Sequence, residues 1–364
     1  MATPTLRTLA KLLGLSRTTV SDALRDSPRV KAETVRRVRE AAAAVGYQRN
    51  PLTGTVMSLL RRSSGQEFRG VIGAVEIIAP NRSIHAVRYS EALMTGIHRR
   101  GADLGFKVEK FNVGPDGMTL KRLDTILHTR GIQALVILPA EGFPDFSALS
   151  WSRYTAVYVD YFIDRPPLHC VCSDHYRSMV ALLQELHRRG YRRPGLFMEV
   201  PLDERLQYRW EGAFAALQTY LPSIDPVPPL LVGNVTRAAI LKWFETHQPD
   251  VVIGHEGEGL KWIRSTGTRV PEDVAFVCLN SLRSPSGCAA LDFRADQLGA
   301  RATELVTAQL LHNEMGAPDQ PSLTTIPAGW IEGTTVLGKK SVVKTSRTSA
   351  RKSAPKKTST RKKQ

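Results

Sequence analysis

The chain has 364 residues, 42 % of them apolar, four cysteines and a net charge of +16. That length and apolar share exclude a wholly disordered chain and predict two or three domains with a sizeable core. The charge sits at the ends: residues 1–62 carry +8 and residues 339–364 carry +11, against −3 for residues 63–338. The ends rather than the body are therefore the expected polyanion-binding parts.

No apolar h-region opens the sequence and no run approaches the length of a membrane span, so a cytoplasmic protein is expected. A first helix fits Thr5 to Leu13, with Leu6, Leu9 and Leu13 on one side. The stretch Ala10–Leu24, AKLLGLSRTTVSDAL, continues it into a tight turn and a second helix. Gly14 allows the corner, Leu15 plugs it, and the Ser16 hydroxyl is an N-cap acceptor. Val20, Ala23 and Leu24 face inward at i, i+3, i+4, which leaves Arg17, Thr18, Ser21 and Asp22 outside. This is the plan of a helix-turn-helix, whose second helix offers its N-terminal residues to base edges in the major groove. An ordinary core hairpin is the competing reading.

Asp26-Ser27-Pro28 reads as a turn, and a third helix fits Ala32 to Val45 with Gly46 as its C-cap. After Asn50, PLTGTVMSLLRR is a poor helix by itself, because Gly54 and the threonines weaken it. Ser63 to Gln66 reads as a linker. Beyond it the style changes to alternating strands and helices. Strands are predicted at Gly70–Ile78, Lys107–Asn112, Ile132–Leu138, Thr155–Tyr161, Arg193–Met198, Asp250–Gly254 and Val274–Leu279. Helices are predicted at Tyr89–Leu104, Thr119–Arg130, Arg177–Arg189, Gln207–Tyr220, Arg237–Thr246 and Leu260–Ser265. Such alternation implies parallel α/β sheets with helices on both faces, and about 270 residues suit two similar lobes with a cleft between them.

Cys170 and Cys172 flank Val171 in a strand-like apolar run, without further ligands at zinc spacing; they and Cys278 and Cys288 are expected to be buried, reduced thiols. GHEGEG (Gly254–Gly259) lacks Walker spacing and its Lys-Ser/Thr, and Asp174 and His175 lack a partnered nucleophile, so neither an enzyme nor a cofactor or metal is expected. From Lys339 the sequence is Lys/Arg, Ser/Thr, Ala and Pro, the composition of a disordered tail drawn to phosphate without reading sequence.

These segments in this order resemble the LacI/GalR family of bacterial transcriptional regulators, over residues 5 to about 336. The resemblance is carried by TLRTLAKLLGLSRTTVSDAL, SPRVKAETVRRVREAAAAVGY and NPL. In the body it is carried by GIQALVIL, DHYRSMVALLQELHRRGYRRPGL, PDVVIG and RVPEDVAFVCLN. It implies an all-α helix-turn-helix headpiece (1–49), a hinge helix and linker (50–69), a two-lobed α/β sensor like a periplasmic sugar-binding protein (70–338) and the basic tail (339–364). It implies a homodimeric regulator, in the first instance a repressor, on a near-palindromic operator, switched by a small molecule such as a sugar. The alternative is a nucleoid-associated DNA-binding protein with a degenerate, non-sensing core.

Residue by residue, the resemblance places Arg17, Thr18 and Asp22 where the family reads bases, and Ser16, Thr19, Ser21 and Asn50 at phosphate or capping positions. Asp22 stands where arginine is frequent; an acid accepts from a cytosine amino group but repels phosphate, which leaves operator preference open. Val56 stands at the position of the family's minor-groove wedge, with Met57 its neighbouring candidate. In the sensor, Arg88 and Tyr89 sit where the first strand's loop enters a helix and Asp160 ends a strand at an equivalent crevice, the places where ligands bind in open α/β sheets, while the resemblance implies an effector contact at Arg209. His255-Glu256 replaces a frequent Asn-Asp, and Asn280 a frequent aspartate, so the hydroxyl pattern satisfied here differs from that of a common hexose.

Overall fold

Leucine, valine and alanine at three- and four-residue spacing build the first unit of the computed structural model, which describes residues 6–24, 30–44, 69–80, 82–115, 117–140, 144–160 and 165–337. Helices α1 (Leu6–Leu13), α2 (Arg17–Ala23) and α3 (Ala32–Ala44) enclose Leu9, Ala10, Val20, Ala23, Val38 and Ala42. Gly14 takes φ +64° at the corner. The Leu15 N–H donates to the Ala10 carbonyl at 3.0 Å, and the Ser16 hydroxyl accepts from the Thr19 N–H at 3.0 Å. Burying a side chain such as Val20 contributes roughly 2 kcal/mol. The Asp26-Ser27-Pro28 turn, the Gly46 cap, the segment after Asn50 and the tail from Lys339 lie outside the described residues.

Arg69–Gln364 form the second compact unit. Its elements are β1 (Gly70–Ile77), α4 (Ile84–Asp103), β2 (Phe106–Val113), α5 (Leu120–Thr129), β3 (Ala134–Ile137), β4 (Thr155–Val159), β5 (His169–Ser173) and α6 (His175–Arg188). Then follow β6 (Pro194–Glu199), α7 (Val200–Glu204), α8 (Arg209–Tyr220), β7 (Leu230–Val232), α9 (Arg237–His247), β8 (Val251–Gly254) and α10 (Glu258–Arg264). The last elements are β9 (Ala275–Cys278), β10 (Ala289–Asp292), α11 (Ala295–His312), β11 (Leu323–Ile326) and β12 (Gly329–Ile331).

Two six-stranded sheets result, with orders β11-β5-β4-β3-β1-β2 and β12-β10-β9-β8-β6-β7. All the described pairings are parallel except that of β10 with β12. The chain crosses between lobes three times: from β5 to α6, from β10 to α11 and from β11 to β12. The crossings are tied together. The Asp174 carboxylate caps α6 through the Arg177 N–H (3.0 Å) and accepts from the Thr325 hydroxyl (3.1 Å). The Ser178 hydroxyl accepts from the Ala328 N–H at 3.0 Å.

Strands buried on both faces explain the unbroken apolar runs in the sequence. Ile72 and Ala74 of β1 pack with α4 and α11, while Val75 joins the opposite core. The helix predicted from Tyr89 starts at Ile84, because the Ser83 hydroxyl caps the Ala86 N–H at 3.2 Å. Helix α11 is absent from the sequence-based elements. Its inner face includes Gly299, Ala302, Thr303, Thr307 and Gln309, so small and polar residues blur the apolar stripe. Those small residues let α11 lie close against α4: a Cβ on Gly96 would overlap the Asp296 carbonyl, and one on Gly299 the Leu93 carbonyl. All four cysteines are free and buried.

Candidate functional site

In α/β sheets ligands bind outside the carboxyl ends of the strands, and here the carboxyl ends of the two sheets face each other. Tyr89, early in α4, and Asn280, just past β9, line one cavity of 320 Å³ together with Phe293 and Asp296. His85 Nδ1 and the Leu282 carbonyl, from opposite lobes, are 2.9 Å apart. A larger groove of 670 Å³ runs along α6 and β12, lined by Leu182, Arg189, Trp330 and Glu332, and touches none of these strand ends.

On the first lobe, Asp160 ends β4 with φ +86° and accepts from the Tyr89 hydroxyl at 2.8 Å. Burial raises the Asp160 pKa, against the pull of the Arg205 charge and the Tyr89 hydrogen bond. Burial, then Asp160, pushes the Tyr89 phenol well up. Ser173 ends β5, buried beside Tyr89.

On the second lobe, Arg209 is the first residue of α8. Tyr208 before it is left-handed and offers no side-chain cap. The buried Asp203 carboxylate replaces that cap by accepting from the Trp210 N–H (3.1 Å) and the Glu211 N–H (2.9 Å). Asp203 thereby fixes where Arg209 starts. His255 follows β8 and is buried; its Nδ1 lies 3.8 Å from Glu256 Oε1, beyond hydrogen-bond range. Burial lowers the His255 pKa, partly offset by Glu256. Glu256 pairs with Arg283. Burial raises its pKa, but His255 and Arg283 outweigh this and hold the carboxyl low.

Between the lobes sits His175, 3 % exposed and edge-on to Trp210 (5.0 Å) and Phe293 (5.5 Å). Burial, then the charges of Arg209, His255 and Arg205, brings its pKa down to about 3. His175 Nδ1, His255 Nδ1 and Trp210 Nε1 are all buried without a hydrogen-bond partner among the described residues. A buried polar atom left without a hydrogen bond costs about 1–3 kcal/mol, so a cluster of three at one crevice marks a place for a polar guest.

Of the residues expected from sequence, the crevice brings together Tyr89, Asp160, Arg209, His255 and Asn280. The Asn280 carbonyl oxygen accepts from the Leu282 N–H at 3.0 Å, so this side chain also shapes its own loop. Glu256 faces Arg283, and Arg88 is exposed on α4. Sequence reasoning missed His175, Arg205, Trp210 and Phe293. The usable signal was a histidine directly after the N-cap Asp174, at a strand-to-helix crossing. In the first unit Arg17, Thr18 and Ser21 stand in α2, with Ser16 at its cap. Asn50, Val56 and Met57 lie outside the described residues.

A three-helix unit with a capped second helix, joined to a two-lobed α/β body with a polar crevice, defines a DNA-binding regulator with a ligand-binding sensor. Residues 5–50 match the family described as bacterial regulatory proteins, lacI family. Residues 77–256 match the periplasmic binding proteins and sugar binding domain of the LacI family, and residues 183–336 a periplasmic binding protein-like domain. The chain belongs to the lacI family and is a transcriptional regulator. It is 25 % identical over 334 residues to the HTH-type transcriptional regulator GntR of Pseudomonas aeruginosa, covering 86 % of this chain and 91 % of that one. The fold is shared with a complex of the transcriptional regulator CelR with cellobiose (19 % identity, TM-score 0.55, 91 % of this chain and 99 % of that one). It is shared also with a lac repressor dimer bound to operator and the anti-inducer ONPF (17 %, TM-score 0.53, 93 % and 100 %). Among the described residues no helix is long and apolar enough to cross a membrane.

Proposed function

We propose that this regulator acts as a homodimeric repressor in the cytoplasm, on nucleoid DNA, with two headpieces (1–49) reading the half-sites of a near-palindromic operator. A small polyhydroxylated molecule held in the crevice sets its operator affinity. The observation that carries the effector reading is the cluster of buried, unpartnered polar atoms at His175, His255 and Trp210. Asp160 and Arg209 supply an acceptor and a charged donor beside them, a set suited to several hydroxyls. The cellobiose of the CelR complex supports a carbohydrate-like guest. No bond is made or broken; the ligand acts by binding one arrangement of the lobes better than the other.

Arg17, Thr18 and Asp22 then read bases, while Ser16, Thr19, Ser21 and Asn50 position the backbone. Val56 or Met57, in the hinge (50–69), wedges the minor groove. Tyr89, Asp160, Arg209, His255 and Asn280 hold the effector, with Arg88 and Glu256 at the rim of the sensor (70–338). The test is selection of bound sites from random DNA, followed by a thermal-shift screen of sugars and sugar derivatives. An enriched palindrome, and a ligand whose shift disappears in Arg209→Ala, support the reading. Binding without any enriched site points instead to an architectural DNA-binding protein.

A further inference from the structure

Helix α4 begins at the crevice, and its first turn is held by a buried ion network. The Glu76 carboxylate, fully buried near the end of β1, pairs with Arg82 (2.6 Å) and Lys110 (2.5 Å) and accepts from the Ser90 hydroxyl. Burial raises the Glu76 pKa, but Lys110, Ser90 and Arg82 outweigh this and hold the carboxyl low. Arg82 Nη2 reaches on to the Ala86 carbonyl at 3.0 Å. A charged carboxylate with a cation on each oxygen thus fixes the turn that carries His85. The facing loop of the second lobe is braced in a similar way. The Asn280 side chain caps the short 3-10 turn Ser281–Arg283 through the Leu282 N–H, and Arg283 pairs with Glu256.

Between these two fixed turns His85 Nδ1 meets the Leu282 carbonyl at 2.9 Å. A carbonyl only accepts, so Nδ1 carries the proton. Tyr89, Ala92 and Thr95 of α4 face Ser281 and Leu282 across the 320 Å³ cavity beside this contact. A void lacks the dispersion contacts of a packed seam, which gives a directed hydrogen bond more weight in holding the lobes together there. We propose that His85 is a clasp residue: its hydrogen bond to Leu282 biases the two lobes toward their closed arrangement before any effector arrives. The consequence for control rests on the crevice being the effector site. Asn280, an effector contact in that reading, also places the acceptor of the clasp, so a guest that binds Asn280 acts on the same loop. A guest that needs closed lobes binds more weakly in proportion as the clasped population falls.

The test reads the lobes with no guest present, so its failure and that of the effector reading are separate results. Donor and acceptor dyes are placed on Thr125→Cys in α5 and Glu245→Cys in α9 of the full chain, exposed positions on different lobes; the native thiols are buried. Labelled chains are diluted in unlabelled ones, so that transfer stays within one subunit. Single-molecule energy transfer then gives the ratio of open to clasped lobes. His85→Leu, which keeps bulk but cannot donate, should raise that ratio about 2–10-fold, the worth of one net hydrogen bond. His85→Asn, whose Nδ2 stands where the ring Nδ1 stood, should return it to within ~2-fold of the native chain. Arg82→Gln, which cuts the brace and leaves His85 in place, should move the ratio in the same direction as His85→Leu. An unchanged ratio in either His85→Leu or Arg82→Gln overturns the proposal. So does a shift in His85→Leu that His85→Asn fails to reverse, because ring packing and not the hydrogen bond then holds the lobes.

Discussion

His175 makes the stability of the body depend on acidity in a calculable way. The ring is 3 % exposed, and its pKa falls to about 3 through burial and the charges of Arg209, His255 and Arg205. An unfolded histidine titrates near 6.5. A folded-state pKa below the unfolded one means that the unfolded chain binds more protons between those two values. The stabilisation is therefore present above pH ~6.5 and is lost as pH falls toward about 3. Each pH unit in that window costs about 1.4 kcal/mol, so lowering the pH from 7.5 to 5 removes about 2 kcal/mol through this residue alone. Denaturant titrations of the full chain at both pH values, followed by tryptophan fluorescence, measure the loss. The control is His175→Phe, which keeps a ring against Trp210 and Phe293 but does not titrate. Contributions from Asp160 and Asp203 recur in both proteins and drop out of the difference. The variant should lose about 2 kcal/mol less than the native chain on acidification; equal losses would refute the assignment of a neutral, buried His175.

Arg17→Ala should weaken operator binding by roughly 1–3 kcal/mol, the worth of a bidentate guanine contact, while binding to random duplex barely changes; fluorescence anisotropy on both DNAs reads the ratio. Gly96→Ala should destabilise the body by roughly 1–3 kcal/mol, because the new methyl meets the Asp296 carbonyl. Gly212→Ala, on an open helical face with nothing within 4 Å, should gain about 0.5–1 kcal/mol; the two melting temperatures should move in opposite directions. Asp203→Ala should cost roughly 1–2 kcal/mol by uncapping α8. It should also weaken the effector identified by screening about as much as a misplaced Arg209 would, and calorimetry separates the two effects.

The headpiece was legible in the sequence because local rules write it: a cap at Ser16, a corner at Gly14 and inward residues at Val20 and Ala23. The parallel strands showed as apolar runs for the same reason, since burial on both faces needs no alternation. Helix α11 escaped because its buried face uses Gly299, Ala302 and Thr303, which carry little hydrophobic signal. Strands β10, β11 and β12, at three or four residues, are too short for any period to register. In the crevice, Tyr89 and Asp160 could be placed at the carboxyl ends of strands, and Arg209 by family resemblance. His175 and Phe293 could not, because their role arises only when two interlobe crossings meet.

Those crossings bear on how the polypeptide is made. Strand β11 completes the first sheet beside β5, and α11 covers Val136, Val157 and Val171, yet both are synthesised after nearly all of the second lobe. At about 5–20 residues per second, the ribosome takes roughly 8–30 s to go from β5 to β11. Throughout that interval the earlier lobe presents an apolar sheet face and an open edge to the cell. A nascent chain halted near residue 290 should therefore be a strong client for holding chaperones, and releasing it past residue 326 should end that dependence.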